Sequence, residues 1–194
     1  MKYAALFKGI NVGGKNIVKM SDLKQLLLDL GLAEVKTYIQ SGNAIFETDF
    51  SEEELYNMIY CGFADRFGFE SNVIIRNIDE IRALIDELPF SEEEIKSAET
   101  TDPKLEHLYV CFLDNIPDKS KIDDIYIKYQ GKDGLKTGKK ELYLLFYQSI
   151  RESKLATITA KTFNSSTMRN WKTVNKLYDM MVAIQKSVSS DSNA

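Results

Sequence analysis

The feature that most restricts the fold of this chain is a very short turn between two strand-like segments. Residues 34–40 and 43–48 both read as strands, and only Ser41 and Gly42 lie between them. Gly42 and Asn43 suit the positive φ angles that tight hairpins require. Strands joined so closely pair antiparallel. The chain is therefore expected to form an antiparallel hairpin within its first fifty residues.

The segments around this hairpin predict a ferredoxin-like first subdomain. Residues 3–8 form an apolar strand candidate, and the leucines that follow recur at helical spacing, with Ser21 as the expected N-cap. Ser51 and Glu54 form a capping box that begins a second helix. Residues 71–76 supply a fourth strand. The resulting order βαββαβ, with strands arranged 4-1-3-2, is the ferredoxin-like arrangement.

The second half of the chain resembles a weaker echo of the first in its pattern of elements, without repeating its sequence. The expected elements are a helix near 79–87, a helix capped by Ser91 with Glu94, a strand in EHLYVCFL, a short helix or turn at 119–126, a strand at 126–130, a loop or distorted hairpin in GKDGLKTGKK, a strand in ELYLLFYQ and a long amphipathic helix from about Thr167.

These elements predict an α+β protein with two subdomains. The ferredoxin-like subdomain, with an antiparallel sheet, spans residues 1–77, and a helical connector spans 78–104. A second, smaller α+β subdomain that includes the long C-terminal helix is expected over 105–187, followed by a flexible tail at 188–194.

Composition narrows the class of protein. No stretch approaches the roughly 20 apolar residues that cross a bilayer, and the first apolar run is too short for a signal sequence, so a cytoplasmic protein without membrane contact is expected. Residues 49–102 hold fifteen acidic and four basic residues, a local charge of −11. This acidic middle disfavours a nucleic-acid groove along the whole molecule, since phosphate backbones need a continuous basic face.

The glycine-rich stretch GINVGGKN, residues 9–16, approaches the phosphate-binding pattern G-x-x-x-x-G-K-[ST] but differs in three ways. Asn16 replaces the hydroxyl residue, and the next helix begins several residues later instead of at the lysine. The tight hairpin after that helix also conflicts with the parallel sheet of P-loop proteins. A nucleoside triphosphatase is therefore disfavoured.

Strand order gives this stretch another significance. The first and second strands both neighbour the antiparallel third strand and therefore run in the same direction, so the loop after the first is expected beside the turn after the second. This rim of the sheet is rich in hydrogen-bond donors and poor in carboxylates, and its glycine N–H groups can form an anion-binding nest. The candidate ligand-binding residues are Lys8, Asn11, Gly13, Gly14, Lys15, Asn16, Gln40, Ser41 and Asn43. The alternative is that glycines and asparagines only stabilise the loop.

Five sequence strings carry a family resemblance: KGINVGGKN, TYIQSGN, RFGF, ESKL and TMRNW. In this order they resemble the bacterial family known as domain of unknown function 1697, from about Tyr3 to Met181. The resemblance implies a bacterial cytoplasmic protein with a ferredoxin-like first subdomain and a second α+β subdomain, and it implies no activity. Lys8 stands where the family more often has Arg, and Ser149 and Glu152 depart from its pattern.

The TMRNW segment is expected to begin the last helix, with Ser166 or Thr167 as its cap. Arg169 and Asn170 would then lie near a positive helix end. One interpretation brings both residues to the glycine-rich rim, where they complete an anion site across the two subdomains. The other makes Arg169 structural, bonded to carbonyl groups or to a carboxylate of the acidic middle.

The sequence predicts no catalytic group, cofactor or metal site. His107 is the only histidine and is expected at a strand edge, while Cys61 and Cys111 are widely separated and are expected to be buried free thiols. The carboxylates stand in helix-opening runs where capping explains them. Whether the protein is an enzyme stays open.

Three functions are consistent with the sequence. The leading hypothesis is a binding protein for a small anionic ligand, phosphorylated or nucleotide-like. One alternative is a nucleic-acid-binding module with Tyr38, Tyr109, Tyr143 and Phe146 on a sheet face, and the other is a structural or protein-interaction domain without a small-molecule ligand. The oligomeric state is not predicted.

Overall fold

The first half of the chain folds as predicted into a ferredoxin-like βαββαβ unit. The structure is a computed structural model and describes residues 1–184. Its elements are β1 (Lys2–Phe7), α1 (Met20–Asp29), β2 (Ala33–Tyr38), β3 (Asn43–Glu47), α2 (Glu52–Phe67) and β4 (Val73–Asn77). The strands form an antiparallel sheet in the order β2-β3-β1-β4, which confirms the expected 4-1-3-2 order.

Two helices follow the first sheet, and a second four-stranded antiparallel sheet follows them. The helices are α3 (Ile78–Asp86) and α4 (Glu92–Glu99). The later elements are β5 (Leu108–Phe112), α5 (Lys119–Lys128), β6 (Gly134–Thr137), β7 (Glu141–Leu145), α6 (Lys154–Thr162), β8 (Thr167–Asn170) and α7 (Trp171–Val182). The second sheet has the order β6-β7-β5-β8, so both halves share one topology.

Several local predictions for the second half are wrong. Residues 126–128 of the strand expected at 126–130 are instead the end of α5, a helix that buries Ile122 and Ile125. For GKDGLKTGKK the hairpin alternative is confirmed, because this segment contains β6, which pairs antiparallel with β7. Helix α6 was not predicted. The segment Thr167–Asn170 forms β8, so the last helix begins at Trp171 with Asn170 as its N-cap. The expected tail and residues 185–187 lie outside the described residues.

Helix caps explain where several helices begin. The predicted capping boxes at Ser51 and Ser91 are both present, each with a glutamate three residues later. The predicted cap of α1 is wrong, because this helix begins at Met20 and places Ser21 inside its first turn. The Ser21 hydroxyl bonds to the neighbouring Asp22 carboxylate instead.

Three apolar cores divide the molecule into layers. Helices α1 and α2 pack on the outer face of the first sheet, and α5 and α6 pack on the outer face of the second. Between them, α3 and α7 share one core with the inner faces of both sheets. The central strands are therefore buried on both faces, which explains the continuous apolar runs of β1 and β7.

None of the helices within residues 1–184 has the length and apolar character needed to cross a membrane.

Candidate functional site

Residues 9–16, called the glycine-rich hairpin below, form a small reversed loop after β1. The Asn11 N–H donates to the Asn16 carbonyl (3.0 Å), and the Lys15 N–H donates to the Val12 carbonyl (3.1 Å). Gly13 and Gly14 between them have φ values of +60° and +74°. Two successive positive φ values are typical of a tight type I′ turn, which explains why glycine occupies both positions.

The glycine-rich hairpin contacts the turn at residues 40–43, as the strand order predicts. Asn11 Nδ2 donates to the Gln40 carbonyl (2.9 Å), and the Phe7 N–H donates to the Gly42 carbonyl (2.8 Å). Gly42 has a φ of +74°, and a Cβ atom added there would lie only 2.6 Å from Ile10 Cδ1. Gly42 is therefore required by both its backbone conformation and the close approach of the two loops.

Most of the polar side chains on this rim bond to the protein itself. Asn11 bonds through both its amide nitrogen and its amide oxygen to Val18, and Asn16 Nδ2 donates to the Gly9 carbonyl. The Lys8 ammonium donates to the Asn164 carbonyl of the second half. These side chains hold the loop in place by Asx-type bonds.

Asn43 is fully buried, and both polar atoms of its side chain bond within the protein. Its Nδ2 donates to the Tyr38 carbonyl and the Ser41 hydroxyl, and its Oδ1 accepts from Arg169 Nε. By contrast, the side-chain amide of exposed Gln40 bonds to none of residues 1–184.

Arg169 reaches this rim from the second half, but it is buried beneath the two loops. Its guanidinium donates to the carbonyls of Phe7 (2.8 Å), Ser41 (3.0 Å) and Gly42 (3.3 Å). Within its own strand it donates to Thr167 Oγ1 (2.6 Å) and the Met168 carbonyl (2.8 Å). Burial lowers the pKa of Arg169 to about 10. The contacts to neutral oxygens match the structural interpretation of this residue.

Asn170 caps α7, since its Oδ1 accepts from the Thr173 N–H at 2.8 Å. Beneath the two loops, the backbone carbonyls of the rim therefore accept hydrogen bonds from the guanidinium of Arg169. The unoccupied donors lie farther out, on the glycine-rich hairpin.

A second arginine, Arg76 of the first half, makes the equivalent contacts to backbone carbonyls of the second half. Arg76 in β4 donates to the carbonyls of Leu113 and Lys140 (3.1 Å for the latter). Strand registers make Arg76 equivalent to Arg169, because they lie opposite Ala4 and Val110 in the central strands. The same registers make Leu113 equivalent to Phe7 and Lys140 equivalent to Gly42. Each half therefore inserts one arginine into the rim of the other.

The two halves also have equivalent helix caps. Asn77 caps α3 directly after Arg76, just as Asn170 caps α7 directly after Arg169. The shared sequence signal is an Arg-Asn pair at the end of a strand, IIRN in the first half and TMRN in the second. Arg76 was missed from the sequence because one such pair is common, and only the shared topology makes the two pairs equivalent.

The remaining reactive side chains occupy structural positions. The His107 ring is buried, with Nδ1 2.7 Å from the Phe146 carbonyl and Nε2 2.9 Å from the Asp102 carbonyl. Cys111 is buried in β5, where desolvation raises its pKa to about 11, whereas Cys61 is exposed, contrary to expectation. Among residues 1–184 no three potential metal-ligating side chains come together.

Two of the aromatic residues considered for base stacking lie in the cores. Tyr143 and Phe146 are almost completely buried, and the Tyr143 hydroxyl donates to the Leu84 carbonyl at 2.7 Å. Neither ring is available to stack on a nucleic-acid base.

Comparisons with known proteins agree with this architecture. A solved structure described as conserved bacterial protein SP0830 from Streptococcus pneumoniae is similar, with a TM-score of 0.72 and 26% sequence identity. The match covers 93% of this chain and 98% of that one. No curated protein matches the chain. A family profile described as "Protein of unknown function (DUF1697)" matches residues 1–143, so the chain belongs to the DUF1697 family of proteins of unknown function.

Proposed function

We propose that the protein binds a small anionic ligand, phosphorylated or nucleotide-like, on the glycine-rich hairpin. The observation that carries the proposal is the turn at its tip. The N–H groups of Gly13 and Gly14 and the ammonium of Lys15 have no hydrogen-bond partner among residues 1–184. A Cβ atom added at either glycine would meet nothing within 4 Å, so a ligand can approach the backbone closely. Consecutive backbone N–H groups beside a lysine suit an anion.

The structure narrows the set of residues that would contact the ligand. Gly13, Gly14 and Lys15 keep unused donors, and the exposed Gln40 side chain belongs to the turn that Asn11 contacts. Lys8, Asn11, Asn16 and Asn43 would act by holding the two loops together. The guanidinium of Arg169 and the amide oxygen of Asn170 are used inside the protein, so the proposed site lies on the first half alone.

A thermal-shift titration with inorganic phosphate, pyrophosphate and nucleotides tests this proposal. We expect the melting temperature of the wild-type protein to rise with at least one of these anions, and less so at high salt, because the site is exposed. Lys15→Ala should remove the response. Lys24→Ala is the matched control, because Lys24 is an exposed lysine on α1, away from the hairpin. No response to any of these anions, or an unchanged response in Lys15→Ala, would count against the proposal.

Exposed apolar side chains on the same loops favour protein interaction as a second candidate function. Val12, Ile17 and Ile39 lie on or next to the two loops and are 63%, 66% and 50% exposed, and exposed apolar side chains can contact a protein partner. A second copy of the chain is the simplest partner to test. Sedimentation velocity over a range of protein concentrations should then show self-association that Val12→Ser weakens. A monomer at all concentrations would remove self-association as the explanation.

A further inference from the structure

The two equivalent arginines, Arg76 and Arg169, differ in the hydrogen bonding of their Nε atoms. Arg169 Nε donates to Asn43 Oδ1, whereas Arg76 Nε is buried and has no partner among residues 1–184. The register places Glu141 at the position equivalent to Asn43. The Glu141 carboxylate instead accepts from the N–H groups of Lys139 (2.8 Å) and Lys140 (3.1 Å). The oxygen acceptor that the first half provides for Arg169 Nε is thus missing in the second half for Arg76 Nε.

Arg76 also lines a cleft between the two halves of the molecule. This Arg76 cleft has a volume of about 630 Å³, which lies within the usual range for small-molecule sites. Its lining includes Glu53, Tyr56, Val73, Ile75, Arg76 and Asp114. A smaller cleft of about 320 Å³ is also lined by Arg76, but it lacks the contribution of Val73, Ile75 and the Tyr56 ring. The larger cleft is therefore lined by an arginine with one unpartnered N–H, by the Tyr56 ring and by carboxylates.

The charges around the cleft determine which ligand would fit. The Lys140 ammonium is already held by Glu52 (3.7 Å) and Glu80 (3.4 Å). The exposed Glu53 carboxylate has no hydrogen-bond or ion-pair partner among residues 1–184, and Asp114 accepts one bond, from Asn72. A cationic group is thus favoured beside Glu53 and Asp114, while an oxygen acceptor is needed at Arg76 Nε.

We propose that the Arg76 cleft binds a small zwitterion of amino-acid to dipeptide size. Its carboxylate accepts from Arg76 Nε, in the place that Asn43 Oδ1 occupies on Arg169, and its ammonium lies beside Glu53 and Asp114. A modest apolar side chain packs against the exposed Tyr56 ring. The site is separate from the glycine-rich hairpin and does not depend on anion binding there.

The test is a thermal-shift and calorimetric titration of the full chain with the proteinogenic amino acids and with simple dipeptides of apolar residues. Two matched probes identify the recognised groups: the amide of a binding amino acid lacks the carboxylate, and its N-acetyl form lacks the ammonium. We expect the zwitterion to raise the melting temperature, and each blocked form to bind about tenfold or more weakly. No response to any zwitterion, or equal binding of the blocked forms, would overturn the proposal.

Pseudosymmetry supplies a control for the arginine. Arg76→Lys removes the Nε donor and should weaken zwitterion binding by about tenfold or more. Arg169→Lys makes the same change at the equivalent position outside the cleft and should leave the binding constant unchanged. If Arg76→Lys does not fold, Glu53→Gln serves instead, since the Glu53 side chain is exposed and its substitution leaves the core intact. If the folded Arg76→Lys or Glu53→Gln variant binds the zwitterion as tightly as the wild-type protein, the zwitterion does not bind in the Arg76 cleft.

A further variant separates this site from the proposed anion site. Lys15→Ala should retain full zwitterion binding, because Lys15 is on the glycine-rich hairpin and does not line the Arg76 cleft. Loss of zwitterion binding in Lys15→Ala would place that ligand on the hairpin instead.

Discussion

Replacing Arg169 by methionine should destabilise the protein substantially, because it leaves buried oxygens without donors. Among residues 1–184, the Ser41 carbonyl and Asn43 Oδ1 accept hydrogen bonds only from Arg169. The buried Asn43 oxygen left without a donor costs about 2 kcal/mol, and the part-buried Ser41 carbonyl costs about 1 kcal/mol, so the two together cost about 3 kcal/mol. Removing the charge recovers part of the desolvation that lowers the pKa of Arg169 to about 10. We therefore expect the free energy of unfolding to fall by about 2 kcal/mol.

Urea denaturation followed by two probes measures this loss. Trp171 is the only tryptophan and reports on the second half, whereas far-UV circular dichroism reports on both halves. The two halves share an extensive apolar core, which outweighs one arginine. The variant should therefore still unfold in one transition that both probes report at the same urea concentration.

An exposed arginine provides the control for this experiment. Arg151→Met changes a side chain on the surface and should alter the free energy of unfolding by less than about 0.5 kcal/mol. A loss below about 1 kcal/mol in Arg169→Met would mean that the carbonyl oxygens find other donors. Separate transitions for the two probes would mean that the arginine, and not the apolar core, couples the halves.

Three further predictions concern single positions. At pH 8 a thiol reagent should label exposed Cys61 readily and Cys111 only after unfolding, since a pKa of about 11 leaves roughly one thiolate in a thousand at Cys111; equal labelling of both thiols in the native protein would contradict this. Gly42→Ala should lower the melting temperature more than Gly14→Ala, because both positions have a φ of +74° but only the Cβ at Gly42 meets a neighbouring side chain; equal losses would show that the loops can separate freely. Tyr143→Phe should cost about 1–2 kcal/mol in urea denaturation, because it leaves a buried carbonyl of α3 without its donor; no loss would mean that this carbonyl gains another donor.

The sequence predicts those parts of the fold that depend on neighbouring residues. The hairpin at Gly42 and the capping boxes at Ser51 and Ser91 are encoded within a few positions, and all three are present. Strand β8 was missed because its four residues lie at a helix start and satisfy their backbone groups through β5, far away in the chain. Similarly, β6 lies in a stretch of turn residues and is a strand because it pairs with β7.

The candidate site was harder to predict than the fold, because donor counts from a sequence omit the backbone. The sequence places Asn11, Asn16 and Asn43 on a rim rich in donors, and they do lie there. What it does not reveal is that backbone carbonyls accept hydrogen bonds from those asparagines, and that other carbonyls of the rim accept from a buried arginine. Among residues 1–184, the Lys15 ammonium, the N–H groups of Gly13 and Gly14 and the Gln40 side chain have no hydrogen-bond partner.

Because the two halves share one topology, the Arg76 and Arg169 positions can be compared directly. All three guanidinium nitrogens of Arg169 donate hydrogen bonds, to the Asn43 amide oxygen and the Phe7 carbonyl of the first half and to the Thr167 hydroxyl of its own strand. Arg76 also donates to backbone carbonyls, but among residues 1–184 no side-chain oxygen accepts from its Nε. A purely structural arginine gains nothing from a buried N–H without a partner, which costs free energy in a folded protein. The difference between two otherwise equivalent positions is therefore the strongest reason to look for a ligand in the Arg76 cleft.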